Sequence, residues 1–404
     1  MEALLKIDRR YIFLLLAIII MVAFGFGHLI DVPVGAGRPV KDVFQAIDTL
    51  EPRPGRERAV MLFSMDFDPA SSPELSPMTA AMLRHALRKG HKIVGMTHWP
   101  AGVALADGLL SAAVREFDDV LFAYELFDSQ ESAATAEASA KKDLGAAPKQ
   151  DLAAELKEAI ESALAAATSG EKTKAMVEAI KGKHRVAVVR PGAAKVRATP
   201  AGADLEWHVG LHKLLAAADP GSHNVAYVGG GKWMRAEVLW REPNLTYGRD
   251  YCFLGQRAGH EVLILSMGQS IYDSFPTDSK QNRTRDMEIL KDVPTLREID
   301  YLMTLAAGDT SDKWVLYGHE KYGFPMSVGC TAVMAPDLYP YRQAQQIDGI
   351  VGGIRGAWEY EALTGIPGKA RDAVPAQTAA HLLIILLIIV CNVGYFAGRR
   401  RKRT

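Results

Sequence analysis

The chain has 404 residues, with 47 basic and 47 acidic side chains and a formal charge of zero. Because basic residues cluster at the two ends, the stretch between them is net acidic, which excludes a nucleic-acid surface built on displaced counterions. Three cysteines, with no CxxC or Cys/His spacing, exclude a structural zinc site.

The first element is an apolar run, Tyr11–Ile30, preceded by Lys6, Arg9 and Arg10. About 20 residues suffice to cross a hydrocarbon core as a helix. The run exceeds a usual signal-peptide core and no A-x-A site follows before Asp31, so it reads as a retained anchor. Its counterpart, Ala379–Gly398, is followed by Arg399, Arg400, Arg401, Lys402 and Arg403. Flanking basic residues stay on the cytoplasmic side, so both termini are expected in the cytoplasm and the central region across the membrane. Near the end of the second run, Gly394 and Gly398 form a GxxxG pair suited to close helix packing.

Between the anchors, apolar runs alternate with helical patterns. Ala59–Met65 reads as a strand covered on both faces, Ser76–Lys89 as a helix, Lys92–Thr97 as a second strand and Ala101–Arg115 as its helix. Asp119–Tyr124 reads as a third strand. Residues Ser129–Gly182 are rich in Ala, Lys and Glu, with an apolar stripe through Leu152, Leu156, Ile160 and Leu164. They form either an amphipathic helical arm or a solvated excursion. Short strands follow at Val186–Val189 and Asn224–Val228, then Asp250–Leu254, Ile299–Ala306 and Met326–Val333 with intervening helices, including Ser311–Lys321. A long helix is expected over Tyr341–Leu363. Glycines 349, 352, 353 and 356 inside it imply close backbone packing, and Gly352, Gly353 and Gly356 are the candidate packing residues.

Repeated strand–helix units predict an α/β fold: a Rossmann-like or flavodoxin-like doubly wound parallel sheet, with a transmembrane helix at each end and an Ala-rich helical insertion. The expected boundaries are residues 1–10 (cytoplasmic), 11–30 (first membrane helix), 31–128, 129–182 (the insertion), 183–378, 379–398 (second membrane helix) and 399–404 (cytoplasmic tail).

Ligands of open parallel sheets collect beyond the carboxyl ends of the strands. Those ends carry Asp66, Asp68, His98 and Asp309 as candidate catalytic groups, and Gly255, Gln256, Gly308, Thr310 and Thr331 as candidate ligand contacts. Asp66 and Asp68 are the candidate metal pair, for Mg²⁺. The competing reading has them capping the turn into the Pro69–Pro77 loop. Asp309 has the position of a helix N-cap. Gly229–Lys232 lacks P-loop spacing and reads as a glycine turn. His208 and His212 lack the HExxH context. Cys252 and Cys330 sit in buried strands and pair only in an oxidising compartment.

The segments Tyr247-Gly248-Arg249-Asp250, Phe275-Pro276-Thr277-Asp278, Ala307-Gly308-Asp309-Thr310 and Gly352-Gly353-Ile354-Arg355-Gly356-Ala357, with Asp66-Phe67-Asp68-Pro69-Ala70, give the chain its family likeness. It resembles an uncharacterised family of bacterial membrane-anchored proteins. The resemblance implies a bacterial source and a two-pass anchored α/β domain, and it brings no activity; with the two anchors, the expected location is the inner membrane. Two functions follow as expectations. One is a non-enzymatic structural or ligand-binding component of a membrane assembly, partnered by the lipid bilayer, by its own copies or by other membrane proteins. The alternative is a tethered metal-dependent hydrolase or transferase acting on a phosphate- or sugar-bearing envelope substrate.

Overall fold

The computed structural model describes residues 9–26, 35–127, 129, 132, 186–189, 197–199, 219, 223–229, 232–365 and 368–401. They divide into two compact units, one made of Met1–Asp107 with Phe253–Thr404 and the other of Gly108–Cys252. The insertion expected at 129–182 lies outside the described residues except for Ser129 and Ser132, and so do His208 and His212.

The first unit is built on β1 (Val60–Asp66), β2 (Lys92–Thr97), β8 (Tyr251–Gln256), β9 (Tyr301–Ala306), β10 (Met326–Cys330) and β11 (Ile350–Gly352). They form an all-parallel sheet in the order β11-β10-β9-β1-β2-β8. Counted along this sheet's own strands the order is 3-2-1-4-5-6, which reverses between β1 and β9. Every residue of β1, β9 and β10 is buried, as expected for strands covered on both faces. On one face lie α2 (Arg38–Asp48), α3 (Ser72–Arg88) and α8 (Gly353–Thr364). Gly329 admits α3 there, because a β-carbon would meet Met78 Sδ at 2.9 Å and Leu305 Cδ2 at 3.0 Å. The other face, which carries Ser64 and Asp66, is covered by a helical segment. This segment begins as α6 (Thr310–Lys313), widens into a π-helical stretch at Trp314–His319 and closes with Glu320–Tyr322. α5 (His260–Met267) packs against that stretch.

Three expected strands do not join this sheet. Asp119–Phe127 (β3), Val186–Val189 (β4) and His223–Gly229 (β6) instead belong to an antiparallel sheet of the second unit, with β5 (Arg197–Thr199) and β7 (Lys232–Glu242), in the order β5-β4-β3-β7-β6. The cause is local. Gly229 pairs with Lys232, so β6 and β7 are joined by a two-residue connection, which only antiparallel strands accept. Of the expected glycine turn at Gly229–Lys232, Gly230 and Gly231 lie outside the described residues.

The long helix expected at Tyr341–Leu363 is likewise corrected. It is α7 (Ala335–Gln343), then β11, then α8. Gly353 adopts φ +61, a left-handed conformation that a continuing helix does not tolerate, so the chain turns there from strand to helix. Gly352 is therefore a strand residue and Gly353 the first residue of α8, and only Gly356 lies inside a helix, close to Val351. Cys330 is a buried thiol pushed up to about 12 by burial, and it forms no disulfide with Cys252.

At the ends of the chain, α1 (Arg9–Phe26) packs against α9 (Lys369–Arg401), which carries Gly394 and Gly398. Among the described residues one helix, over Lys369–Ile389, is long and apolar enough to cross a membrane, with a mean hydropathy of 1.8. The apolar stretch of α1, Phe13–Val22, is shorter.

Candidate functional site

β1 and β2 end side by side, and their last residues build a buried polar cluster. In β1 the side chains two apart share a face, so Ser64 and Asp66 point the same way. Ser64 Oγ donates to Asp66 Oδ2 at 2.5 Å and itself accepts from Trp314 Nε1 at 2.9 Å. Asp66 Oδ1 accepts from the His98 backbone N–H at 2.7 Å and from His98 Nδ1 at 3.1 Å, with Thr97 Oγ1 at 3.5 Å. Asp66 and His98 are 1% and 2% exposed, so the pair is shielded from water.

A carboxylate on Nδ1 fixes that nitrogen as the donor, and in the neutral ring Nε2 then presents a lone pair. His98 Nε2 is buried and has no hydrogen-bond partner among the described residues. Around it, the His260 ring lies 5.1 Å away at 34° and the Trp314 ring 5.7 Å away at 70°. Trp99, 44% exposed, sits edge-on to His260 at 6.1 Å and forms the outer side of the cluster. Gln256, at the end of β8, donates to the His98 carbonyl at 3.2 Å.

Two more buried hydroxyls, Thr304 Oγ1 and Ser311 Oγ, also lack partners among the described residues. Thr304 is in register with Ser64, and in-register neighbours of parallel strands project to the same side. Ser311 precedes Trp314 by three residues, which puts both on one side of the helical segment. The sheet face beneath the π-helical stretch thus holds an imidazole nitrogen and two hydroxyls whose bonding capacity is unused. Buried polar groups are nearly always paired, so these three atoms are open hydrogen-bonding positions among the described residues. π-Helical turns within helices are frequent at functional sites.

The other expected site residues are placed differently. Asp68 does not converge on Asp66: its Oδ1 accepts from Ser71 Oγ at 2.7 Å and from Ser71 N–H at 3.0 Å, an Asx turn that opens α3. Those two bonds hold its carboxyl below the usual range. Asp309 occupies the N-cap position of α6, but its side chain makes no capping bond. It lies 3.6 Å from Lys313 Nζ, which pairs with Glu261 at 3.0 Å, so it belongs to a surface ion group. Among the described residues no three His, Cys, Asp or Glu side chains are placed to hold a metal ion. The expected Mg²⁺ pair is therefore not brought together: Asp66 is the last residue of β1 and meets Ser64 and His98, whereas Asp68 lies beyond the strand in the turn with Ser71.

Of the expected ligand contacts, Gln256 reaches the cluster. Gly255 (φ +93) lies against Ser279, and Gly308 borders open space. Thr310 is buried beside Ser311, and Thr331 Oγ1 is buried without a partner among the described residues, at the end of β10. Ser64, His260 and Trp314 are members that the strand-end inventory does not contain. Ser64 alone has a readable signal: a hydroxyl two residues before Asp66 in an otherwise apolar strand. Comparison with protein-family models, curated proteins and solved structures finds no match to this chain.

Proposed function

We propose that the chain is a non-enzymatic, ligand-binding component of a bacterial membrane assembly, with a Rossmann-like unit whose site is the Asp66–His98 cluster. The observation that supports this reading is His98 Nε2, oriented by Asp66, enclosed by His260 and Trp314 and left without a partner. A nitrogen so held is prepared to accept from a hydroxyl or amide group of a small molecule, and Trp99 and His260 stand where that molecule would enter. Native mass spectrometry of the full-length protein tests this. Wild type is expected to retain a small-molecule adduct that His98→Ala loses. An adduct equally present in His98→Ala, or none on either protein, would refute the binding reading.

The metal-dependent hydrolase or transferase reading keeps only the Asp66–His98 pair in its favour, since Asp68 and Asp309 are engaged elsewhere.

The proposed setting is the inner membrane, with helices at both ends embedded in the lipid bilayer, both termini cytoplasmic, and the central units outside. Self-association or other membrane proteins are the proposed partners. The hydropathy of Lys369–Ile389 and the packing of α1 against α9 support this arrangement. Protease added to intact spheroplasts is expected to cut the central region. Full protection, with cleavage only after lysis, would place that region in the cytoplasm instead.

A further inference from the structure

Helix α8 holds the starts of both segments that lead to the terminal helices. Glu359 Oε2 accepts from the N–H of Gly37, the residue that precedes α2, at 2.9 Å. Two residues on, Glu361 turns to the start of α9: its Oε1 accepts from the Ala370 N–H at 3.1 Å and its Oε2 from the Arg371 N–H at 3.0 Å, with the Gly368 N–H as a third donor. The first amides of a helix have no partner within it, so this one side chain supplies the cap of α9. A β-carbon at 368 would lie 2.1 Å from Glu361 Oε1, so a larger residue there would displace the capping carboxylate. Glu361 is 2% exposed.

We propose that Glu361 is a proton-operated lock on the joint between the α/β unit and helix α9, tightened by proton uptake and loosened by proton loss. This goes beyond the ligand-binding reading and does not depend on it.

The groups facing the joint are cationic on two elements. From α3 come Arg84, whose charge favours the Glu361 carboxylate, and Arg88, which donates to the Thr364 carbonyl at 3.0 Å; His85 bonds the neighbouring Tyr360 hydroxyl at 2.7 Å. From α9 come Lys369 and Arg371, and on α8 itself Arg355 pairs with Glu359. From α2, Asp48 reaches only His85 and Lys89. β11, also packed on α8, carries no titratable side chain. These cations and the three amides do not offset the loss of hydration. Burial pushes the Glu361 carboxyl up to about 6, from an ordinary 4.5.

The direction of the switch follows from linkage. The closed joint binds the proton more tightly than an open, hydrated one, so protonation favours closure. The added closure is complete below the ordinary value and is lost as pH rises through about 6. A difference of about 1.5 units limits the effect to roughly 30-fold, of which about eightfold falls between pH 5 and pH 7.5.

Hydrogen exchange on the full-length protein in lipid nanodiscs reads this directly. After correction for intrinsic rates, the amides of residues 368–371 are expected to be about eightfold better protected at pH 5 than at pH 7.5, while those of Tyr301–Ala306 in β9 stay unchanged. In Glu361→Gln, a neutral side chain of the same shape, the protection should no longer depend on pH. Unchanged protection in wild type, greater protection at pH 7.5, or a pH dependence that survives in Glu361→Gln would each overturn the proposal. Should Glu361→Gln fail to fold, the sign of the wild-type dependence still decides.

Discussion

Asp66→Ala is expected to lower the stability of the parallel-sheet unit by about 3 kcal/mol, the upper end of the cost of leaving a buried hydrogen-bonding group unsatisfied, because it strips the acceptor from several buried donors at once. The carboxylate satisfies Ser64 Oγ, the His98 backbone N–H and His98 Nδ1 at once, and alanine leaves all of them buried without an acceptor. Each such orphan costs about 1–3 kcal/mol, though the three are not additive because Ser64 still meets Trp314. Asp66→Asn keeps the shape and one carbonyl oxygen and should cost less than half as much. Denaturant unfolding in detergent measures both. If Asp66→Ala unfolds at the wild-type midpoint, the carboxylate does not organise the strand ends, and the site built on it must be given up.

How much of this was legible beforehand depends on how local each cause is. β1, β2, β9 and β10 can be read from sequence because strands covered on both faces are apolar throughout, as in the VMLFSMD of Val60–Asp66. The proximity of Asp66 and His98 is legible too, since both stand where adjacent parallel strands end. What separates Asp66 from Asp68 is the end of the strand: a period of two would put both on one face, but β1 stops at Asp66 and Asp68 enters the turn with Ser71. The second sheet was not legible as such: the strands read from it, Asp119–Tyr124, Val186–Val189 and Asn224–Val228, are short apolar runs like those of the parallel sheet, and the two-residue span between Gly229 and Lys232 is what betrays an antiparallel pairing. The break of the expected Tyr341–Leu363 helix hangs on single residues, Gln345 and Gly353, held at positive φ. Ser311 and Trp314 share a side of the expected Ser311–Lys321 helix by their spacing of three, but that spacing does not say which strand face the side covers.

Trp314 is where this non-local part of the site can be tested. It is the first residue of the π-helical stretch, fully buried, edge-on to both His98 and Phe324, and bonded through Nε1 to Ser64. Trp314→Ala is expected to cost about 3–5 kcal/mol, the range for emptying a buried aromatic site. It also removes the donor that holds Ser64 toward Asp66 and opens a void beside the unpartnered His98 Nε2. Trp314→Phe separates these effects. The ring still fills most of the space but lacks the N–H, so the loss should fall to about 1–2 kcal/mol, the scale of a lost hydrogen bond and an imperfect fit. The pair also predicts a difference at His98. Trp314→Ala lets water reach Nε2, so the imidazole should exchange its ring protons faster by NMR, whereas Trp314→Phe should leave it protected. Equal stability losses for the two variants would mean that burial of the large ring contributes nothing beyond the bond to Ser64. Slow exchange at His98 in Trp314→Ala would mean that Trp314 is not what encloses it, and the buried face beneath the π-helical stretch would have to be closed by His260 and Trp99 alone.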